Sequence, residues 1–520
     1  MKSTASRQSG LALAAVCLSS LMFGLEISSI PAILPTLERV LRADFSQLQW
    51  TMNAYTIAVA TVLMAAGTFA DRYGRKRIFV ITTIAFGITS LVCGLAPNMP
   101  VLIVGRALQG ASGGAMLICQ VAVLSHQFRD TSERAKAFGW WGIVFGFGLG
   151  FGPLIGNVIA TLAGWAWVFL VHILIAAVTV LLAVTGVQES RDPAAKRLDL
   201  AGIVTLSASV FCLVLFITQG SALGFASRTA LTLIALAVAS FIAFILAERI
   251  NPHPLFDFSV LRIRRFSGAL LGSMGMNFSF WPFMIYLPLW MEAGLGFQGM
   301  APGLALLAYT LPTLAVPAWA ERLSLRYGSH VVIPAGLFTI GVGFLVMKLA
   351  ADASIATQAL TLLGAVVAGI GLGATNTPVT NTTTGAVSSD RAGMASGIDM
   401  SARMISLALN IALMGFVLVA GIETTLQESM AVPMGSTALH AIDSIALHGL
   451  AQKIAAGGCS ALASVDTNSS LIVTSRCHVA LARGFGMVML YGAISVWIAA
   501  AISLLLFRKR KSLVSSMASE

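Results

Sequence analysis

A chain of 520 residues, 57% of them hydrophobic and only 10% charged, is far poorer in charge than a water-soluble protein, where roughly 25% of residues are charged. A soluble fold of this composition would expose apolar patches well beyond what monomers tolerate, so the bilayer is the solvent for most of the chain. The net charge of +11 does not mark a nucleic-acid binder: the bases sit in short clusters between apolar runs (Arg72, Arg75, Lys76, Arg77; Arg262, Arg264, Arg265; Arg508 to Lys511) and not along one continuous basic face.

Apolar runs of about 20 residues or more, the length needed to span a bilayer, fall at 11–36, 48–69, 78–96, 101–124, 137–160, 167–187, 201–219, 229–247, 267–291, 301–320, 331–350, 356–385, 393–420 and 484–507. They predict an all-α integral membrane protein of fourteen helices, because a lipid-exposed backbone must satisfy its hydrogen bonds within each segment. The first run comes after Lys2 and Arg7, as in a signal peptide. It is too long for a signal h-region, and the chain continues into further apolar runs and not into a secreted domain, so it is read as the first span. Of the 32 Lys and Arg, only Arg39, Arg42, Arg228, Lys348, Lys453, Arg476 and Arg483 fall on one side of this topology. Arg106 and Arg403 fall within spans, and the remainder collect on the side of the termini. The positive-inside rule therefore places both termini in the cytoplasm.

The tripeptide Arg72-Tyr73-Gly74 recurs as Arg326-Tyr327-Gly328, half a chain later and again after the second span of its half. Two related halves meeting around a central site form a common transporter plan. The expected division is a six-helix half over 1–190, two inserted helices with their linkers over 191–260, and a second six-helix half over 261–520. The long polar connection at 421–483 is expected outside the cytoplasm. It carries an amphipathic stretch around Leu439, Ile442, Leu450 and Ile454, together with Cys459 and Cys477. In an oxidising compartment that pair is a disulfide candidate; two separate thiols are the alternative. Cys17, Cys93, Cys119 and Cys212 lie in apolar runs and read as buried thiols.

After the second run the chain reads Gly67-Thr68-Phe69-Ala70-Asp71-Arg72-Tyr73-Gly74-Arg75-Lys76-Arg77. Gly74 suits a tight turn, and Asp71 is the one acid among four bases. This segment resembles the signature G-x-L-a-D-r-x-G-r-k-r of the major facilitator superfamily, with Phe69 in place of Leu. The resemblance implies a major facilitator fold and a conformational latch formed by Gly67, Asp71, Arg72, Gly74 and Arg75. The second copy has Leu325 where the acid stands, so only the first is expected to act as the latch.

Further resemblances run along the chain. Gly105-Arg106-Ala107-Leu108-Gln109-Gly110 resembles the family's R-x-x-q-G motif, which implies a proton-coupling role for Arg106. An arginine within a membrane helix is costly and points to function by default. Gly139, Gly148, Gly152, Pro153 and Gly156 match the fifth-helix pattern of the family's antiporters, except for Asn157 where the pattern has glycine. Small residues along one face permit close packing, and Pro153 bends a helix. The resemblance implies export. Leu25-Glu26-Ile27-Ser28-Ser29-Ile30-Pro31-Ala32-Ile33-Leu34-Pro35 resembles the first-helix motif of the fourteen-helix drug:H⁺ antiporter branch, with Glu26 for the usual Asp. Burial in low dielectric favours the neutral acid, so such a carboxyl can exchange a proton near neutral pH; a structural carboxyl neutralised by Arg106 is the alternative. Trp165-Ala166-Trp167-Val168-Phe169-Leu170-Val171-His172 resembles W-R-W-x-F-x-i-N, from which Ala166 and His172 depart.

These resemblances cover nearly the whole chain, thinning in 421–483, and imply a proton-coupled antiporter exporting amphipathic, cationic drugs or toxic compounds. Glu26 and Arg106 are the proton-coupling candidates. Tyr55, Gln109, Trp281, Tyr286, Glu292, Asn376 and Asn381 are the substrate-cavity candidates. Asp399 and Arg403 are expected to pair at i,i+4. The implied partners are small molecules and the lipid bilayer of a bacterial inner membrane, without nucleic acid. The protein is expected to act as a monomer, with protons as the coupling ion and no cofactor or metal. The alternative transport reading is an exporter or proton symporter for one metabolite. A receptor or scaffold would not need Glu26 and Arg106. An enzyme would need a metal cluster, nucleophile triad or phosphate loop that the sequence lacks.

Overall fold

The computed structural model describes residues 2–128, 130–191, 199–251, 258–297, 300–352, 357–387, 392–431, 444–456 and 470–507. Within them the chain is all-helical. Eight helices come first: α1 (Lys2–Leu41), α2 (Phe45–Tyr73), α3 (Arg75–Gly94), α4 (Met99–Gln127), α5 (Thr131–Ala163), α6 (Ala166–Gly186), α7 (Leu200–Leu223) and α8 (Arg228–Ile250). Then come α9 (Arg264–Asn277), α10 (Phe280–Leu289), a π turn at Trp290–Gly294, α11 (Ala301–Thr310), α12 (Pro312–Ala315) and α13 (Pro317–Tyr327). The last are α14 (Ser329–Asp352), α15 (Thr357–Gly385), α16 (Ala392–Ala431), α17 (Ser444–Ala455) and α18 (Ser470–Phe507).

Among the described residues, 11 helices are long and apolar enough to cross a membrane, or 12 if the bent α11–α13 pair is one span. The expected fourteen are thus not reproduced as fourteen unbroken spans. The run at 267–291 is broken between α9 and α10. Pro282 lacks the N–H that would bond the Phe278 carbonyl, and the Ser495 hydroxyl donates to that oxygen instead at 3.0 Å. The run at 301–320 bends by 41° where Pro312 and Pro317 interrupt it. Helix α2 is continuous over 29 residues, about 44 Å at 1.5 Å per residue. Asp44 and Gln47 close its start with a reciprocal capping box.

Helices α1–α6 pack on one another, as do α9–α16 with α18. The inserted α7 packs beside α2 and α16 through Val210, Val214, Ile57, Ala408 and Ala412, and α8 packs on α7. The repeated tripeptide has one geometry in both halves. Gly74 (φ +114°) and Gly328 (φ +85°) both end a helix in left-handed backbone that glycine alone adopts freely.

The first turns of α1 and the end of α18 lie at one end of the bundle, here called the terminal end. Leu11 packs at Gly186, and Phe507 at Gly268. The opposite, distal end joins the halves: one core contains Ile30, Phe45 and Met52 from the first half and Met276, Tyr286, Trp290 and Met414 from the second. The connection expected as a polar loop at 421–483 is partly helical. Helix α16 runs on to Ala431, α17 is a separate short helix and α18 starts at Ser470. The extensions are tied together by Arg483 and Glu428 at 2.7 Å and by His448 and Glu423. Leu439 and Ile442 lie outside the described residues, while Ile454 of α17 is buried.

Candidate functional site

Glu26 and Arg106, far apart in sequence, meet inside the first half. Both side chains are fully buried. Arg106 Nη1 donates to Glu26 Oε1 and to Gln109 Oε1 at 2.7 Å, and its Nε donates to the Thr51 carbonyl at 3.0 Å. The guanidinium lies over the Tyr55 ring, 4.3 Å from its centroid, a cation–π contact strengthened by the dry surroundings. Gln109 is held in turn by Ser90 at 2.8 Å and by the Cys93 thiol at 3.6 Å. The enclosure therefore draws on α1, α2, α3 and α4, with α6 completing it through His172, whose Nδ1 lies 3.4 Å from Glu26 Oε2.

Several buried atoms in this enclosure make no hydrogen bond within the protein: Glu26 Oε2, Arg106 Nη2, Tyr55 Oη and His172 Nε2. Buried polar atoms are nearly always bonded, so several unbonded ones around a single ion pair set this enclosure apart from ordinary core packing. Glu26 is a paired carboxyl, with Arg106 on one oxygen and His172 beside the other. Tyr55 and Gln109 do not line an open cavity; they hold Arg106.

The glycines of the fifth-helix pattern form the seam between α5 and α1. A Cβ on Gly148 would lie 2.8 Å from the Leu21 carbonyl oxygen, one on Gly152 would overlap the Ser28 hydroxyl, and one on Gly156 would lie 2.7 Å from Ser29 Cβ. Across the seam the Ser28 hydroxyl donates to the Gly148 carbonyl at 3.0 Å and Ser29 to the Gly152 carbonyl at 3.0 Å. Two residues beyond Glu26, α1 is thus bonded to α5. The neighbouring face of α5 meets the second half. Thr310 donates to the Gly150 carbonyl at 2.7 Å, Leu314 packs at Gly146 and Gly150, and Gly303 packs on Pro153 and Asn157. Farther toward the terminal end, nothing lies within 4 Å of a Cβ placed on Gly139 or Gly142. On this face of α5 the second half is in contact from Gly146 to Asn157, and nothing described approaches Gly142 or Gly139.

The remaining expected site residues are dispersed. Tyr286 bonds the halves at the distal end: its hydroxyl donates to the Ile411 carbonyl and accepts from Gln49 Nε2 at 2.9 Å. Trp281 packs, partly buried, against the core shared by the halves. Glu292 pairs with Arg39 at 3.0 Å. Asn376 accepts from Arg403, which also binds Asp399 at 3.0 Å and Thr380 at 3.0 Å. Asn381 is exposed. The side chain of Asp71 and the surroundings of Gly67 are outside the described set; Arg72 is exposed, with its guanidinium 5.7 Å from the Tyr73 ring centroid.

Gly74 begins α3 at a site closed by a residue the motif reading missed. The Glu189 carboxylate accepts from the backbone N–H groups of Lys76 at 3.1 Å and Arg77 at 3.2 Å, while Arg75 N–H donates to the Ser190 carbonyl. A carboxylate on the first turn satisfies orphan donors and opposes the helix dipole. Cys477 is disulfide-bonded, whereas Cys17, Cys93, Cys119 and Cys212 remain thiols; Cys459, the expected partner, lies outside the described residues.

Comparison with known proteins places this arrangement. The sequence profile described as Major Facilitator Superfamily matches residues 16–411. Multidrug resistance protein Stp of Mycobacterium tuberculosis (strain CDC 1551 / Oshkosh) is 29% identical over 425 residues, 81% of this chain and 79% of that protein. Quinolone resistance protein NorB of Staphylococcus aureus (strain MRSA252) is 27% identical over 405 residues, 77% of this chain and 87% of that protein. Among solved structures, the D-xylose–proton symporter superposes with a TM-score of 0.58 at 15% identity, over 86% of this chain and 96% of that one. A bacterial homologue of the human lysosomal transporter Spinster gives 0.58 at 15% identity, over 97% and 99%; at such identity both show the shared fold. With the profile spanning most of the chain and the fold agreeing, this multi-pass membrane protein is a transporter, not an enzyme, and belongs to the Major Facilitator Superfamily.

Proposed function

We propose that the protein exports amphipathic, cationic drugs or toxic compounds from a bacterial cytoplasm in exchange for protons, by alternating access, with both termini cytoplasmic. The observation that carries the reading is the buried Glu26–Arg106 pair, placed one helical turn from the α1–α5 seam. A buried ion pair is weak evidence for stability and strong evidence for function in a membrane. Protonating Glu26 removes its charge and frees Arg106, which shifts α1. Because α1 is bonded to α5, and α5 to Thr310 and Leu314 of the second half, that shift reaches the contact between halves. In this conformation Glu26 has no exposed surface, so proton and drug compete through the position of the helices and not by sharing the carboxylate directly. The relatives' names, multidrug resistance and quinolone resistance, support drugs as the cargo class. The gathering of most Lys and Arg on the side of the termini supports the orientation.

The test uses everted membrane vesicles carrying a preformed proton gradient. Adding ethidium should discharge the gradient in vesicles with the native protein. Glu26→Gln should abolish the discharge while leaving the amount of folded protein unchanged. Unaltered discharge in that variant would remove Glu26 from coupling, and no discharge with any of a broad panel of cationic compounds would reject the drug reading.

A further inference from the structure

The two carboxylate oxygens of Glu26 have different neighbours. Oε1 is bonded to Arg106. Oε2 makes no hydrogen bond and lies 3.4 Å from His172 Nδ1, close enough for an ion pair but outside hydrogen-bonding geometry. His172 is buried. Its Nδ1 also lies 3.3 Å from the Phe169 carbonyl oxygen, which can only accept, so in the neutral ring the proton sits on Nδ1. Nε2 is then an unprotonated nitrogen with no hydrogen bond, and the ring packs edge-on to Phe86 at 5.8 Å.

The surroundings hold few other charges. On α1 the titratable residues between its ends are Cys17 and Glu26, on α3 only Cys93 lies beyond the first turn, and α5 has none from Gly139 to Ala163. Arg106 of α4 approaches α6 at the Phe169 ring, 6.0 Å away. With Glu26 ionised and His172 neutral, the cluster carries no net charge. One added proton brings it to +1 wherever that proton sits. A second would place +2 in a buried site and is strongly disfavoured. If the single proton rests on Glu26, Arg106 loses its counter-charge. If it rests on His172 Nε2, the Arg106–Glu26 pair survives and a second ion pair forms at Oε2.

We propose that His172 is the second protonatable group of the coupling site, so that one transported proton is held jointly by Glu26 and His172. The proposal deepens the proton-exchange reading above and rests on it. The step balances without another reactant. A proton binds Nε2 to give the imidazolium; transfer of the Nδ1 proton to Oε2 then gives the carboxylic acid and the neutral ring protonated on Nε2. The imidazole is thereby both a store for the proton and its route to the oxygen that Arg106 does not occupy.

The test is an infrared difference titration of the purified full-length protein, with ring-labelled histidine, in native, H172N and E26Q forms. Asparagine keeps a donor toward Oε2 but has no titratable nitrogen, so it removes one of the two places for the proton. The native protein should show imidazole ring bands titrating together with a carboxyl band. In H172N the ring bands attributable to this one of seven histidines should vanish, and the carboxyl midpoint should move to lower pH by about 0.3 unit, the twofold loss from removing one of two equal places for the proton, and by more where the ring holds the larger share. In E26Q the ring faces only Arg106, and its imidazolium bands should leave that pH range. Ring bands that stay unchanged while the carboxyl titrates at one midpoint in both native and H172N protein would overturn the proposal. Should H172N fail to fold, the native and E26Q spectra decide the same question. Ethidium-driven proton discharge that persists in E26Q rejects the coupling reading itself; discharge lost in E26Q with an unshifted H172N midpoint rejects only the role of His172.

Discussion

Gly148 has no room for a methyl group. Its Cβ would meet the backbone of α1, 2.8 Å from the Leu21 carbonyl oxygen and 3.1 Å from the Leu25 nitrogen, and backbone within a helix cannot swing aside. Gly139 lies on the same helix in open space. G148A should therefore force α1 and α5 apart and cost about 1–3 kcal/mol, as overpacking typically does, whereas G139A meets nothing and should raise stability by up to about 1 kcal/mol through helix propensity. Thermal unfolding in detergent measures both, and equal effects would mean that the seam does not limit packing. The glycine pattern was legible in the sequence, but its partner was not. Nothing in Leu25-Glu26-Ile27-Ser28-Ser29 announces that the two serines donate across the seam. Glu189 was hidden for a similar reason: an acid after the sixth helix has no local sign that it closes the first turn of the third. His172 stood out only as a departure from a pattern, because its meaning depends on an oxygen of Glu26 supplied by another helix.

At the scale of elements, hydropathy located most spans and missed how they break and extend. An apolar run reports that lipid surrounds a segment, not whether its hydrogen bonds run straight through. The break before Phe280 needed Pro282 to delete a donor and Ser495, on a distant helix, to replace it. Likewise α16 and α18 outrun their apolar windows: 40 residues make about 60 Å, against a hydrocarbon core of about 30 Å. Their ends are held by pairs such as Glu428–Arg483, which apolarity does not report. Two of the polar links at the distal end differ in magnitude. Arg39 and Glu292 have 63% and 32% of their side chains exposed, so their ion pair contributes about 0–1 kcal/mol. Tyr286 bonds Gln49 and Ile411 in a buried setting; deleting its hydroxyl leaves Gln49 only its longer bond to the Ile411 carbonyl, at 3.4 Å, and costs about 1–3 kcal/mol. Y286F should thus open the distal end more than R39Q does. Hydrogen exchange over residues 45–57 and 408–415 reads this directly, with faster exchange expected in Y286F. A larger effect of R39Q would show that the exposed pair is the main closure.

For the whole molecule, a tripeptide repeated half a chain apart leads to the expectation of two halves with two helices between them, and the described helices pack as α1–α6 and as α9–α16 with α18. The conformation was not readable, since one sequence must encode every state of the cycle. In this state the α5 face toward the second half is packed at Gly146, Gly150 and Pro153 and open at Gly142 and Gly139. Rocking of the halves about the Gly150–Thr310 contact would open the distal end and close this gap, so the two ends should respond oppositely to one perturbation. A cysteine placed by Gly139→Cys occupies open space here and should react readily with a membrane-impermeant maleimide applied from the terminal side. Adding Y286F weakens the distal closure and should slow that labelling in proportion to the population moved, while speeding exchange at the distal end. Faster change at both ends would mean that Y286F loosens the bundle, and would reject reciprocal rocking about the α5 contact as the motion that links the Glu26 site to access.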